Sequence, residues 1–167
     1  AAAVLAANGI KVYIYSELMP TPMLSWAVRE LKCQAGIVIT ASHNPAKYNG
    51  YKVYGEDGCQ ITLDVANTVI GKINAVEMFG GAKVVDFEDG IKSGKIEYIK
   101  QDVIDKYLDK VAQQGVHTDL VADSGLKVVY TPLNGTGNKP VRAILKKIGI
   151  KEVTVVPEQE NPDGTEL

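Results

Sequence analysis

Gly36-Ile37-Val38-Ile39-Thr40-Ala41-Ser42-His43-Asn44-Pro45 is an apolar run that breaks off into polar, turn-forming residues, and Asn49-Gly50-Tyr51-Lys52-Val53-Tyr54 follows closely behind it. A short, continuously apolar segment is expected where a strand is covered on both faces of a parallel sheet. Residues 36–41 therefore read as such a strand, ending directly at Ser42. Asn49-Gly50 and Asp57-Gly58 bracket residues 51–54 as a second strand between turns.

Working toward the amino end, Thr21 is placed to cap a helix with Pro22 at its first position and Leu24, Ala27 and Leu31 along one face. Before it, Ile10, Val12 and Ile14 alternate with Lys11, Tyr13 and Tyr15 as in a strand, and Asn8-Gly9 ends an alanine-rich helix over residues 1–7. Toward the carboxyl end, Ala66, Val69, Ile70, Ile73 and Val76 predict a helix over 63–78 packed on the sheet. A further helix over 103–111 carries Asp102 and Asp105 near its positive end, and Gly115 closes it. The polar stretch 113–125 reads as a linker. A strand over 126–130, a helix over 139–148 with Val141, Ile144, Leu145 and Ile148 inward, and a strand over 152–156 come after it. Helices alternating with short apolar strands predict an α/β fold: a mixed, largely parallel sheet flanked by helices, with a second, similar α/β domain beginning near residue 125.

With 46% hydrophobic and 23% charged residues in 167, the chain has the makeup of a globular protein with a core. Its 18 basic and 20 acidic residues leave a formal charge of −2, which gives no field to draw nucleic acid and directs attention to a small-molecule partner. No apolar stretch reaches membrane-spanning length and no secretory signal is visible. Cys33 and Cys59 make neither a disulfide framework nor paired metal knuckles, so a reducing cytoplasm is the expected setting. The uncapped helix at the start and the polar run 161–167 at the end give the expectation of a fragment cut at both ends.

In open α/β sheets ligands gather at the carboxyl ends of strands. Of the loops at 16–22, 42–49 and 131–139, only the middle one combines a hydroxyl nucleophile, an imidazole, amide donors and a nearby lysine. On residue type alone, a serine at a strand end is more often a turn former or helix cap than a catalyst. A Ser42–His43 hydrolytic dyad is discounted, because sequence neighbours usually point apart and no G-x-S-x-G elbow surrounds the serine.

The segment 36–45, continued by Tyr48-Asn49-Gly50-Tyr51-Lys52-Val53-Tyr54, closely resembles the active-site segment of the α-D-phosphohexomutases, in particular their phosphoglucomutase branch. Val129-Tyr130-Thr131-Pro132-Leu133-Asn134-Gly135-Thr136-Gly137 is similar to the family's T-P-L-H-G-T-G at the start of its second domain, with Asn134 where histidine is usual. The resemblance extends over nearly the whole chain. It implies domain 1 over residues 1–124, truncated at its amino end, and the start of domain 2 over 125–167.

For function, the resemblance implies a phosphosugar mutase that interconverts hexose 1-phosphate and 6-phosphate through a phosphoserine on Ser42 and a bisphosphate intermediate. Lys52 matches the family's active-site lysine, for acid/base transfer or charge stabilisation, and Ser42 and Lys52 would face the substrate. His43 has two readings, a donor to the phosphate or a residue that steadies the loop. Mg²⁺ would be bound by the phosphate on Ser42 and by three aspartates of a D-G-D-x-D-R loop, with glucose 1,6-bisphosphate as activator. No Asp-Gly pair of this chain, at 57, 89 or 163, continues into that loop. The family's sugar-recognition and distal-phosphate loops are also outside it, so the chain by itself is expected to be inactive and to need the remaining domains of its polypeptide. A phosphomannomutase or phosphopentomutase, or a non-catalytic sugar-phosphate-binding paralogue, are the alternatives that this sequence leaves open.

Overall fold

The computed structural model describes residues 1–45 and 47–162; Asp163-Gly164, the end of the polar run, lies outside them. The element order is α1 (Ala2–Ala7), β1 (Val12–Ile14), α2 (Thr21–Glu30), β2 (Ala35–Ile39), β3 (Tyr51–Gly55), α3 (Leu63–Asn74), α4 (Phe87–Lys92), β4 (Ile96–Tyr98), α5 (Gln101–Ala112), α6 (Thr118–Ala122), β5 (Lys127–Tyr130), α7 (Asn138–Lys147) and β6 (Glu152–Val155). β1 with β4 and β5 with β6 pair in parallel, whereas β2 and β3 form an antiparallel hairpin. This is the mixed, largely parallel strand pairing flanked by helices that the alternating pattern predicts.

The chain divides into two compact units. The first joins Ala1–Glu17 to Ile61–Lys100. Its core is Ala6, Val12 and Ile96, with Leu5, Ile14, Val85, Phe87 and Ile91 packed around them. Asp86 caps α4 by accepting a hydrogen bond from the Asp89 amide at 3.1 Å, which satisfies one of the helix's free amino-terminal donors. The register Val12↔Ile96 sets the two apolar strand ends side by side. Neither α4 nor β4 is announced by periodicity. α3 forms, but none of its residues is buried and its apolar face is uncovered among the described residues, with Ile73 62% exposed. The expectation that it packs on the sheet is therefore not met.

The second unit joins Leu18–Gln60 to Gln101–Leu167. α2 buries Met23, Ala27 and Val28; Pro20 holds its cap position, so Thr21 is the first helical residue rather than the cap. Gly36 of β2 is pressed so closely against this helix that a Cβ there would lie 2.5 Å from Val28 Cγ2. α5 closes on α2 through the Trp26 indole, which donates to Val103 O at 3.2 Å and packs at 60° to the Tyr107 ring. Burial pushes the Tyr107 hydroxyl above its usual range. Lys106–Glu30 and Lys147–Asp109 ion pairs flank this packing. Inside the stretch read as a linker sits the one-turn helix α6.

One correction bears on the site. β2 was expected to be covered on both faces of a parallel sheet, yet only Gly36 is buried and Ile39 is 52% exposed. The run is apolar because one face meets α2 and the other lies open on a hairpin, a distinction that a continuous apolar string does not encode.

Candidate functional site

The β2–β3 register places Ile39 opposite Tyr51 and Val38 opposite Lys52. One step further, the Thr40 amide donates to Gly50 O at 3.0 Å and closes the neck of the serine loop. Gly50 is required there, since a Cβ would stand 2.5 Å from the Thr40 carbonyl oxygen. Asn49 Oδ1 accepts from the Gly50 amide at 2.9 Å, a bond by which asparagine side chains commonly hold turns.

Within the loop Ser42 has φ = +59°, a left-handed conformation uncommon for a residue other than glycine. Such a residue costs roughly 1–2 kcal/mol. The Ser42 amide donates to Thr40 Oγ1 at 3.0 Å, a turn-closing bond that returns about 1 kcal/mol. The hydroxyl meets its own neighbour: Ser42 Oγ lies 3.2 Å from His43 Nδ1. Sequence neighbours usually point apart, but in this loop these two side chains meet. Ser42 and His43 are exposed. With Nδ1 unprotonated the serine hydroxyl donates to it; with Nδ1 protonated the imidazole donates to Oγ.

Lys52 is half-buried at the loop end of β3. Opposed residues of an antiparallel pair share a face, so Lys52 lies with Val38 and Gly36 on the side that meets α2. The structure thus brings Ser42 and His43 into contact and sets Lys52 on the strand that carries the loop's return.

The second strand-end loop repeats one device. Thr131 Oγ1 accepts from the Leu133 amide at 3.1 Å, and Leu133 and Asn134 have φ of 47° and 61°. Asn134 is buried, its amide donates to Gln159 O at 3.1 Å, and its side-chain Oδ1 has no hydrogen-bond partner among the described residues. Thr40 is the residue that sequence reasoning missed. The signal was available, because serine and threonine side chains commonly close turns onto the amide two residues on.

Among the described residues no three His, Cys, Asp or Glu side chains come together to hold a metal ion. One hydroxyl and one imidazole do not make a cation site. An open groove of about 700 Å³ lined by Ala122, Arg142, Ala143, Lys146, Ile150 and Val153 among others includes no serine-loop residue. No helix of the described residues is long and apolar enough to cross a membrane.

The chain is 37% identical over 163 residues to a phosphoglucomutase of Staphylococcus saprophyticus, a match that takes in 98% of the chain and 29% of that relative. It is likewise 37% identical to a glucose 1,6-bisphosphate synthase of Homo sapiens, over 97% of the chain and 26% of the relative. A crystal structure of a provisionally named phosphomannomutase from Thermus thermophilus superposes on 95% of the chain with a TM-score of 0.73 at 26% identity, and the chain covers 33% of it. The chain therefore spans about a third or less of the length of these proteins. Residues 1–79 match the family model for phosphoglucomutase/phosphomannomutase α/β/α domain I, and residues 105–165 match that for domain II. Together the two domain models take in most of the sequence, and the chain belongs to the phosphoglucomutase/phosphomannomutase family.

Proposed function

We propose that this chain is the phosphoryl-carrying portion of a phosphosugar mutase that interconverts glucose 1-phosphate and glucose 6-phosphate. The observation that carries the reading is an exposed serine hydroxyl, held at the neck of a hairpin and 3.2 Å from an imidazole nitrogen. Phosphoryl transfer asks of a protein mainly positioning and neutralisation of charge, and this loop is built for positioning. In the forward step the Oγ–P bond of phosphorylated Ser42 breaks and a P–O bond to a sugar hydroxyl forms. The sugar hydroxyl gives up its proton, Ser42 Oγ regains one, and the reverse step on the other end of the bisphosphate restores the phosphoserine.

In this reading His43 is the proton station beside Oγ, a role its contact with the hydroxyl supports. Lys52 faces the substrate with Ser42 and offsets the roughly −1.5 to −2 charge of a phosphoserine. The cation of the longer polypeptide is Mg²⁺, met through the phosphate on Ser42 and otherwise held by ligands outside these residues, and glucose 1,6-bisphosphate is the activator. The proposed division between the two domains falls at 124/125, ahead of β5. The cytoplasm is its proposed setting, and the remaining domains of the same polypeptide are its partners.

The test uses the full-length polypeptide and glucose 1,6-bisphosphate labelled in both phosphates. The wild type is expected to take up label on the peptide containing Ser42, and Ser42→Ala to take up none. Equal labelling of the two proteins would remove Ser42 from the mechanism. The 37% identity to a glucose 1,6-bisphosphate synthase favours a second reading, in which the bisphosphate is the released product and a separate high-energy phosphate compound re-phosphorylates Ser42 after each turnover. Accumulation of free bisphosphate, in place of hexose 6-phosphate, would select it.

A further inference from the structure

We infer that Thr40 is a positioning residue for phosphoryl transfer, acting through the backbone of Ser42. This rests on the reading of Ser42 as the phosphoryl carrier. Thr40 makes two bonds with different jobs. Its amide donates to Gly50 O and closes the hairpin, while its side-chain Oγ1 accepts the Ser42 amide at 3.0 Å. Only the second bond ties the Ser42 amide itself to Thr40, and so fixes where Ser42, with Oγ 3.2 Å from His43 Nδ1, stands relative to the end of β2.

The same arrangement at Thr131, with Leu133 left-handed two residues later, shows the turn as a device that this chain uses where a strand gives way to a loop. At Thr131 the turned residue carries no nucleophile. At Thr40 it does, so losing the Oγ1 acceptor frees the peptide that leads into Ser42, and with it the placement on which the approach of Oγ to a phosphorus depends. Substrate contacts made elsewhere in the polypeptide are untouched.

Thr40→Val keeps the branched shape and the hairpin amide but removes the acceptor, and Thr40→Ser keeps the acceptor. In the full-length polypeptide, Thr40→Val is expected to slow label uptake from glucose 1,6-bisphosphate and to lower kcat by roughly tenfold, the effect of about one hydrogen bond, with KM for glucose 1-phosphate unchanged. Thr40→Ser is expected to restore both to near wild type. Thr131→Val, which removes the matching turn in the loop without a nucleophile, is expected to leave the labelling rate as it is.

Wild-type labelling together with an equally fast Thr40→Val overturns the positioning role and leaves the carrier reading standing. A Thr40→Ser as slow as Thr40→Val, or a Thr131→Val that slows labelling as much, makes the effect one of general folding and overturns the role as well. A wild type that takes up no label removes the carrier reading, and this proposal with it.

Discussion

At Ser42 the backbone is more unusual than the side chain. A left-handed torsion at a residue with a Cβ is invisible in a string of letters, so T-A-S-H-N-P is legible as a loop that carries chemistry while the Ser42–His43 contact is not. The strand of Lys52 is better served by the sequence, because the Asn49-Gly50 and Asp57-Gly58 turns bracket it, whereas its face follows from the pairing with Val38. The two thiols show what position does to a single residue type. Burial pushes the Cys33 thiol up from its usual range, while Cys59 sits on an exposed turn. A raised pKa leaves less thiolate at a given pH, and the thiolate is the nucleophile. Iodoacetamide at pH 8 is therefore expected to modify Cys59 before Cys33 in the folded chain, with the order lost in urea; peptide mapping that finds Cys33 modified first would contradict this.

Among the elements, α3 separates the two things that hydrophobic periodicity is asked to predict. The spacing of Ala66, Val69, Ile70 and Ile73 makes a helix, and a helix is there, but a stripe cannot say whether anything in these residues covers it. The 167-residue chain is accordingly expected to bind a hydrophobic dye such as ANS through this face. Replacing Ile70 and Ile73 by lysine should lower the dye signal while changing the thermal midpoint little, since the substitutions bury no charge. A large fall in the midpoint would mean that the face is packed after all. α4 and β4 escaped the sequence for a different reason. β4 is three residues long and gains its place by pairing with a strand far back in the chain, so no local signal marks it, although Asp86 with Ser93-Gly94 could have bracketed the helix.

Over the whole molecule, the class of fold was legible and the grouping of its parts was not. Alternating strands and helices announce α/β structure. That the first unit is made from two separated stretches follows from which strands pair, and parallel pairing across a long interval leaves no trace in composition. The separation has a consequence for the order in which the chain folds. β2 and β3 meet across a short loop, but β1 waits for β4 until everything between them has been gathered in, and the entropy of closing a loop grows with its length. Pulse-labelling hydrogen exchange during refolding is expected to protect the amide of Thr40, bonded to Gly50 O, before those of Val12 and Ile99, bonded to Lys95 O and Ile14 O. Simultaneous protection would show one cooperative step. In the expected order, the scaffold of the serine loop is finished while β1 is still an open edge. A chain caught at that stage carries a formed nucleophile turn and, elsewhere in the sequence, a strand free to pair with the wrong neighbour.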